Sequence, residues 1–289
     1  MSNIYNQISG NKTRSAFVFL FFIIFILAIA YLFSYLFELG PEFLIFAFIF
    51  SLISSFASYF YGDKIVLSLN HAKPASRKEF FNFYTVTENL SLANQTPMPQ
   101  IYVIDDPSPN AFATGRDPQH AVVCATTGLL QKLNRSQLEA VVAHELSHVK
   151  NYDIRLMMIV SVLIGSLTIL THSLRFRNST DQDNNRSPVL MIIGLIMIIF
   201  SPIIAKLIQL AISRSREYLA DASAVKLTRF PQGLIEALTI ISSDPSPSKT
   251  ANSATASLYI SSPFKDGFSN LFSTHPPIKS RIEALQKMM

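Results

Sequence analysis

Two histidines and a glutamate stand one turn apart in Val141-Val142-Ala143-His144-Glu145-Leu146-Ser147-His148-Val149, where the apolar spacing predicts a helix. At about 100° per residue, His144, Glu145 and His148 share roughly a quarter-turn arc of that helix. Leu138, Val142, Leu146 and Val149 gather elsewhere on the cylinder and are expected to face a core. Two neutral imidazoles at i and i+4 can hold one Zn²⁺, with the glutamate lying beside the ion rather than on it. Such an ion lowers the pKa of water to about 7, within reach of a carboxylate acting as base. The chemistry on offer is hydrolysis, provided a third ligand exists. The alternative is a chance His-Glu-x-x-His. With only 6 His in the chain coincidence is rare, and the pattern gains its meaning from context. Ser136 and Glu139 read as an S-x-x-E capping box that starts the helix.

A third ligand is offered by Ser213-Arg214-Ser215-Arg216-Glu217-Tyr218-Leu219-Ala220-Asp221. A hydrolytic zinc site needs three protein ligands and an open position, and Glu217 can supply the third. Asp221, one turn later, is placed to accept the free N–H of a ligand histidine and fix its tautomer. Taken alone, the segment reads equally well as a solvated helix face carrying Arg214, Arg216, Glu217 and Asp221.

The pairing of His-Glu-Leu-Ser-His with Arg-Glu-Tyr-Leu-Ala-Asp, flanked by apolar spans, resembles the HtpX-type membrane zinc metalloproteases, gluzincins related to the Ste24 and Oma1 proteases. Further matches are Asn110-Ala111-Phe112-Ala113-Thr114-Gly115, Thr126-Thr127-Gly128-Leu129-Leu130, Thr274-His275-Pro276-Pro277 and Arg281-Ile282-Glu283-Ala284-Leu285, in the family's order. The resemblance implies His144, His148 and Glu217 as ligands of one Zn²⁺ per chain, Glu145 as general base, and a role in quality control of misfolded membrane proteins. His275 precedes two prolines and Arg281 follows on a short final helix. Either can support the oxyanion or the ligand Glu217, or serve only as cap and surface. The resemblance favours the functional role, and extends it to Asn110.

Bulk composition agrees with a membrane protein. The 289 residues are 49% hydrophobic and 15% charged, with 23 Phe and 0 Trp, against roughly 25% charged in ordinary soluble domains. The net charge of +5 is not gathered into a basic stripe with interleaved aromatics, so it reads as membrane-flanking charge and excludes nucleic acid as partner. The single cysteine, Cys124, excludes an intrachain disulfide and reads as a buried strand residue.

Ser15 to Phe37 and Phe43 to Gly62 are each long enough to cross a bilayer of about 30 Å, with the turn Glu38-Leu39-Gly40-Pro41-Glu42 between them. The first is too long for a signal-peptide core and is followed at once by another span, so an uncleaved hairpin is expected. Leu156 to Leu174, with His172, and Ser187 to Ala205, with Pro188 and Pro202, are weaker candidates for two more. Lys12 and Arg14 before the first span and Lys64, Lys73, Arg77 and Lys78 after the second put both flanks in the cytoplasm, and the resemblance implies that the membrane is a bacterial inner membrane. The loop Thr180 to Asn185 is less decisive, with Arg175, Arg177 and Arg186 against Asp181 and Asp183. If His148 and Glu217 share a metal, an even number of crossings separates them, and the metal sits close above the membrane surface.

The expected fold is mainly α with a small β-sheet, a gluzincin-type protease domain anchored by about four transmembrane helices. Its parts are an N-terminal membrane hairpin (1–62), a first protease part (63–155), a second hairpin (156–205) and a second protease part (206–289). Glu79 to Leu92 predicts a helix, and Ile101 to Ile104 and Ala121 to Ala125 predict strands. Turn signals bracket Asn110 to Ala113, where an exposed edge can hold an extended peptide or merely close a hairpin. Ser242 to Pro263, rich in Ser, Thr, Ala and Pro, suggests a mobile loop.

Three other functions compete with an endopeptidase acting on polypeptides, membrane proteins among them. A non-catalytic scaffold with structural zinc would close its site with four ligands, yet only three are visible and Glu145 is intact. A transporter would display ionisable residues in its spans, and His172 stands almost alone. A prenyl-protein protease like Ste24 has more spans than this chain can supply.

Overall fold

The chain begins with two long helices, α1 (Ile4–Phe37) and α2 (Pro41–Leu69). The turn between them ends at Gly40, and Pro41 at the first helical position has its φ already set for the helix. In this computed structural model, residues 4–38, 40–178, 214–250, 252, 254–263 and 276–289 are described. Among them two helical stretches are long and apolar enough to cross a membrane, Gly10–Leu32 and Pro41–Leu69, of 23 and 29 residues. About 20 suffice. Both expose large apolar side chains, Phe17 at 65% and Phe46 at 63%, which is the surface a bilayer covers. The expected fourth span and the loop before it lie outside the described residues.

Charge marks where lipid ends, not where a helix ends. α2 continues past Gly62, Asp63 and Lys64 to Leu69, and buries Val66 and Leu67 in the protein. The expected boundary at 62 therefore falls inside one helix. That at 155 falls inside another, α6 (Asp153–Asn178). The two helices come close at Gly62, where a Cβ would stand 2.8 Å from Met158 Cγ.

A four-stranded mixed sheet lies beyond α2: β1 (Lys73–Pro74), β2 (Gln100–Ile104), β3 (Ala111–Gly115) and β4 (Ala121–Thr126), in the order β1-β2-β4-β3. β2 and β4 run parallel, and the outer pairs are antiparallel. Gly115 turns the chain out of β3 at φ +136°, where any Cβ would meet the His120 carbonyl. Alternation divides the strand side chains between two cores. Ile101, Val103, Ala111, Ala113, Val123 and Ala125 belong to one core. Ile104, Phe112 and Cys124 belong to the other, with Val18 and Phe22 from α1 and Leu156 and Ile159 from α6. The first turns of α6, from Ile154 to Leu163, are consequently enclosed by protein on nearly every side.

The first core is built around α5 (Arg135–Lys150), which follows the short α4 (Thr127–Lys132). α3 (Phe81–Asn94), α7 (Arg214–Thr228), α8 (Pro231–Ser243) and the sheet pack around it, with α9 (Ile278–Gln286) against α7 and α8. Leu138, Val142, Leu146 and Val149 are all within that core. The capping box is not the expected Ser136–Glu139 pair. Asn134 is the N-cap: its side chain accepts from Gln137 N at 3.0 Å, and Gln137 Oε1 accepts from Asn134 N at 2.9 Å. The helix starts before Ser136, whose hydroxyl instead donates to Asn134 Oδ1.

β3 is an edge strand, but the expected exposed edge is not open along its length. All five residues are buried, and Ile260 N donates to Ala111 O at 2.9 Å. The expected mobile loop is also tied down where it is described. Asp106 Oδ2 accepts from Ser248 Oγ, Lys249 N, Thr250 N and Thr250 Oγ1 at 2.8–3.0 Å. Burial pushes this carboxyl up, but those bonds and one from Ser108 N hold it below the usual carboxylate range. Asn70, at the end of α2, accepts from Thr255 Oγ1 and the Tyr259 hydroxyl. Small polar residues read as loose linker by composition, and here their hydroxyls and amides are the fastening.

Candidate metal centre

α5 and α7 lie against each other and bury five polar residues between them. His144, Glu145 and His148 come from α5, and Glu217 and Asp221 from α7. None of the five is more than 4% exposed. His144 Nε2 and His148 Nε2 are 3.2 Å apart. Glu217 Oε2 is 3.7 Å from the first, and Oε1 is 3.5 Å from the second. One ligand atom from each residue falls within 4.8 Å of the others. Two nitrogens sharing a tetrahedral zinc at about 2.0–2.1 Å would stand about 3.3 Å apart, so the donor spacing fits such an ion.

The far sides of both rings are held by carboxylates. His144 Nδ1 lies 2.9 Å from Asp221 Oδ1, and His148 Nδ1 lies 3.1 Å from Asp153 Oδ2. In the neutral rings a proton on each Nδ1 would donate outward and leave the Nε2 lone pairs aimed at a common point. Burial alone would lower the pKa of His148. The bond to Asp153 and the charges of Glu217, Asp153 and Glu145 outweigh it and lift the ring to about 9. Negative charge converging on buried imidazoles is the electrostatic counterpart of a cation site.

Arg281 is fully buried at the other end of this array. Its Nε and Nη2 donate to Asp221 at 2.9 and 2.6 Å, Nη1 donates to Ile260 O at 3.3 Å, and Nη1 lies 3.5 Å from Glu217 Oε2. Burial pushes the Asp221 carboxyl up, but the charge of Arg281 and the bond from His144 bring it below its ordinary value. Arg281 thus stands behind two acids of the site and not at a surface. Asn110 donates its amide to Ser261 O at 2.8 Å, and its oxygen accepts from Ala111 N. It fastens the 260–261 segment to the start of β3. His275 lies outside the described residues.

Asp153 escaped the sequence reading, as did the residues that hold it. Its Oδ1 accepts from Arg216 Nη1 at 3.1 Å and from Asn11 Nδ2 at 2.8 Å. Asp153 follows the end of α5 by only a few residues and opens α6. An acid just past a His-Glu-x-x-His helix was the available signal. Asn11, in the first membrane helix, offered none.

Fold and site together define a membrane-associated metalloprotease. The chain belongs to Peptidase family M48, whose family model matches residues 82–289. It is 44% identical over 289 residues to a "Protease HtpX homolog" of Dictyoglomus thermophilum, covering 98% of this chain and 94% of that protein. It is 40% identical over 298 residues to a protein of the same description from Ligilactobacillus salivarius, covering 99% and 100%. The crystal structure of S. mikatae Ste24p has a similar fold, with a TM-score of 0.50 and 22% identity over 96% of this chain and 66% of that one. The chain is a metalloendopeptidase, and its substrates are polypeptides.

Proposed function

We propose that the chain is a zinc-dependent endopeptidase that cleaves membrane or misfolded proteins at the cytoplasmic face of a bacterial inner membrane. The observation that carries this reading is the convergence of His144, His148 and Glu217, each imidazole backed by its own carboxylate. These three residues would hold one zinc ion, which when bound polarises a scissile carbonyl and acidifies water. Glu145, in the same buried array, takes the proton of the attacking water and passes it to the leaving amine. Asp221 and Asp153 keep the imidazoles in the Nδ1–H tautomer, and Arg281 fixes Asp221 and faces Glu217. Asp221→Ala is accordingly expected to weaken zinc binding about 10–100-fold without abolishing it, measured by competition with a chelator.

The deciding experiment is metal analysis of the purified full-length protein beside casein cleavage with and without chelator. About one zinc per chain is expected, with cleavage lost on chelation and regained with zinc. Undiminished cleavage by zinc-free protein would overturn the reading.

Sidedness follows from joining charge to contact. Asn11 donates to Asn151 O, and Lys12 lies 4.9 Å above the Tyr152 ring, so the start of α1 is level with the metal centre. Arg155 over Tyr59 and Tyr152 and Arg116 over Phe60 make a cationic and aromatic belt at that level, as residues do at a membrane–water boundary. Lys12, Arg14, Lys64, Lys73, Arg77 and Lys78 flank this end, while the opposite turn carries Glu38 and Glu42. The basic end belongs in the cytoplasm, and the two protease parts, 63–155 and 206–289, work there. A cysteine at Glu42, in a Cys124→Ser background, is expected to react with an impermeant thiol reagent on intact cells, and one at Lys78 is not. The reverse pattern would move the enzyme to the other side.

A further inference from the structure

α1 is apolar along most of its length, yet near its start it buries two polar side chains, Asn11 and Ser15, at 2% and 4% exposure. The Ser15 hydroxyl returns to Asn11 O within the helix. The Asn11 amide leaves it. Nδ2 donates to Asn151 O and to Asp153 Oδ1, both at 2.8 Å, which uses both of its protons. Asn151 caps the end of α5, the helix of the two histidines, and Asp153 opens α6. The Asp153 carboxylate is thereby held from three directions: by Asn11 on α1, by Arg216 on α7, and by His148 Nδ1 at 3.1 Å on α5. Three helices must be seated together for that carboxylate to meet the ring squarely.

We propose that the first membrane helix is a working part of the metal centre: Asn11 is a positioning residue that orients Asp153, and Asp153 in turn aims His148 Nε2 at the ion. This rests on the zinc reading above. It makes metal affinity depend on the docking of α1, so the helix that anchors the enzyme in lipid also completes the site. A buried asparagine in a membrane helix costs free energy unless both of its amide protons are satisfied. Here the partners that satisfy them are the end of α5 and an acid bonded to a candidate ligand.

The test is a double-mutant cycle on zinc affinity, measured by chelator competition on the full-length protein in detergent. Asp153→Asn is expected to weaken zinc about 10–100-fold, as loss of a direct ligand partner does. Asn11→Leu, one bond further out, is expected to weaken it about 3–10-fold. Asn11→Asp, which keeps the size and loses the donor, should weaken it at least as much. Because Asn11 acts through Asp153, Asn11→Leu should have almost no further effect in the Asp153→Asn background. A purely structural role would lower the melting temperature of the metal-free protein and leave zinc affinity unchanged, or would add in full to Asp153→Asn. Either result overturns the proposal. His148→Ala separates the two layers: if it binds zinc as the parent does, the reading of the site itself fails.

Discussion

Glu145→Gln is expected to keep its zinc and to lose peptide cleavage by about 100- to 10,000-fold, the range over which a positioned general base contributes. The amide has the same shape as the carboxylate and fits the same buried position, 2% exposed on the inward face of α5. What it lacks is the ability to take a proton from water. Glu217→Ala should give the opposite signature, losing zinc and cleavage together, because it removes the only carboxylate among the three converging donors. Measuring metal content and casein cleavage on both variants distinguishes the roles within one preparation. Substantial cleavage by zinc-loaded Glu145→Gln would rule this residue out as the base. Full zinc content in Glu217→Ala would require another third ligand.

The inner part of the site was legible because its chemistry is written at helical spacing. His144, Glu145 and His148 declare themselves on a single helix, and Glu217 and Asp221 repeat the one-turn interval on a second. The two membrane helices are legible for a similar reason, since lipid demands about 20 apolar residues without interruption. What stayed hidden depends on contacts between distant segments. Asn11 and Asp153 are 142 positions apart and meet only after α1 docks beside α6. Asp106 looks like part of a turn signal, and its role as anchor for Ser248 to Thr250 depends on a loop far along the chain. The helix start was misread because Asn134 and Ser136, two positions apart, can each cap, and only backbone geometry separates them. Arg281 could be read as surface or as site, because a short amphipathic helix offers an arginine the same position in either case.

Arg281 also carries the largest expected stability effect. The guanidinium is fully buried, and it makes a bidentate contact with Asp221, itself 1% exposed, while facing Glu217. Removing one member of a buried ion pair leaves the other charged and uncompensated, which costs about 3–5 kcal/mol. Arg281→Met keeps most of the packing volume and removes the charge. Its metal-free form is expected to melt on the order of 10 °C below the parent. Arg281→Lys should restore little, because a point charge does not reproduce the paired contacts of the planar fork. The decisive variant is Arg281→Met with Asp221→Asn. The second change removes the stranded charge, and the amide oxygen can still accept the Nδ1–H of His144, so the double variant should melt above Arg281→Met alone. If the double variant is instead the less stable of the two, the cost lies in packing around α9 and not in an orphaned acid. If Arg281→Met melts with the parent, the pair contributes nothing to the fold. The buried arginine would then be kept for what it does to Glu217 and His144, and the loss should appear in zinc affinity instead.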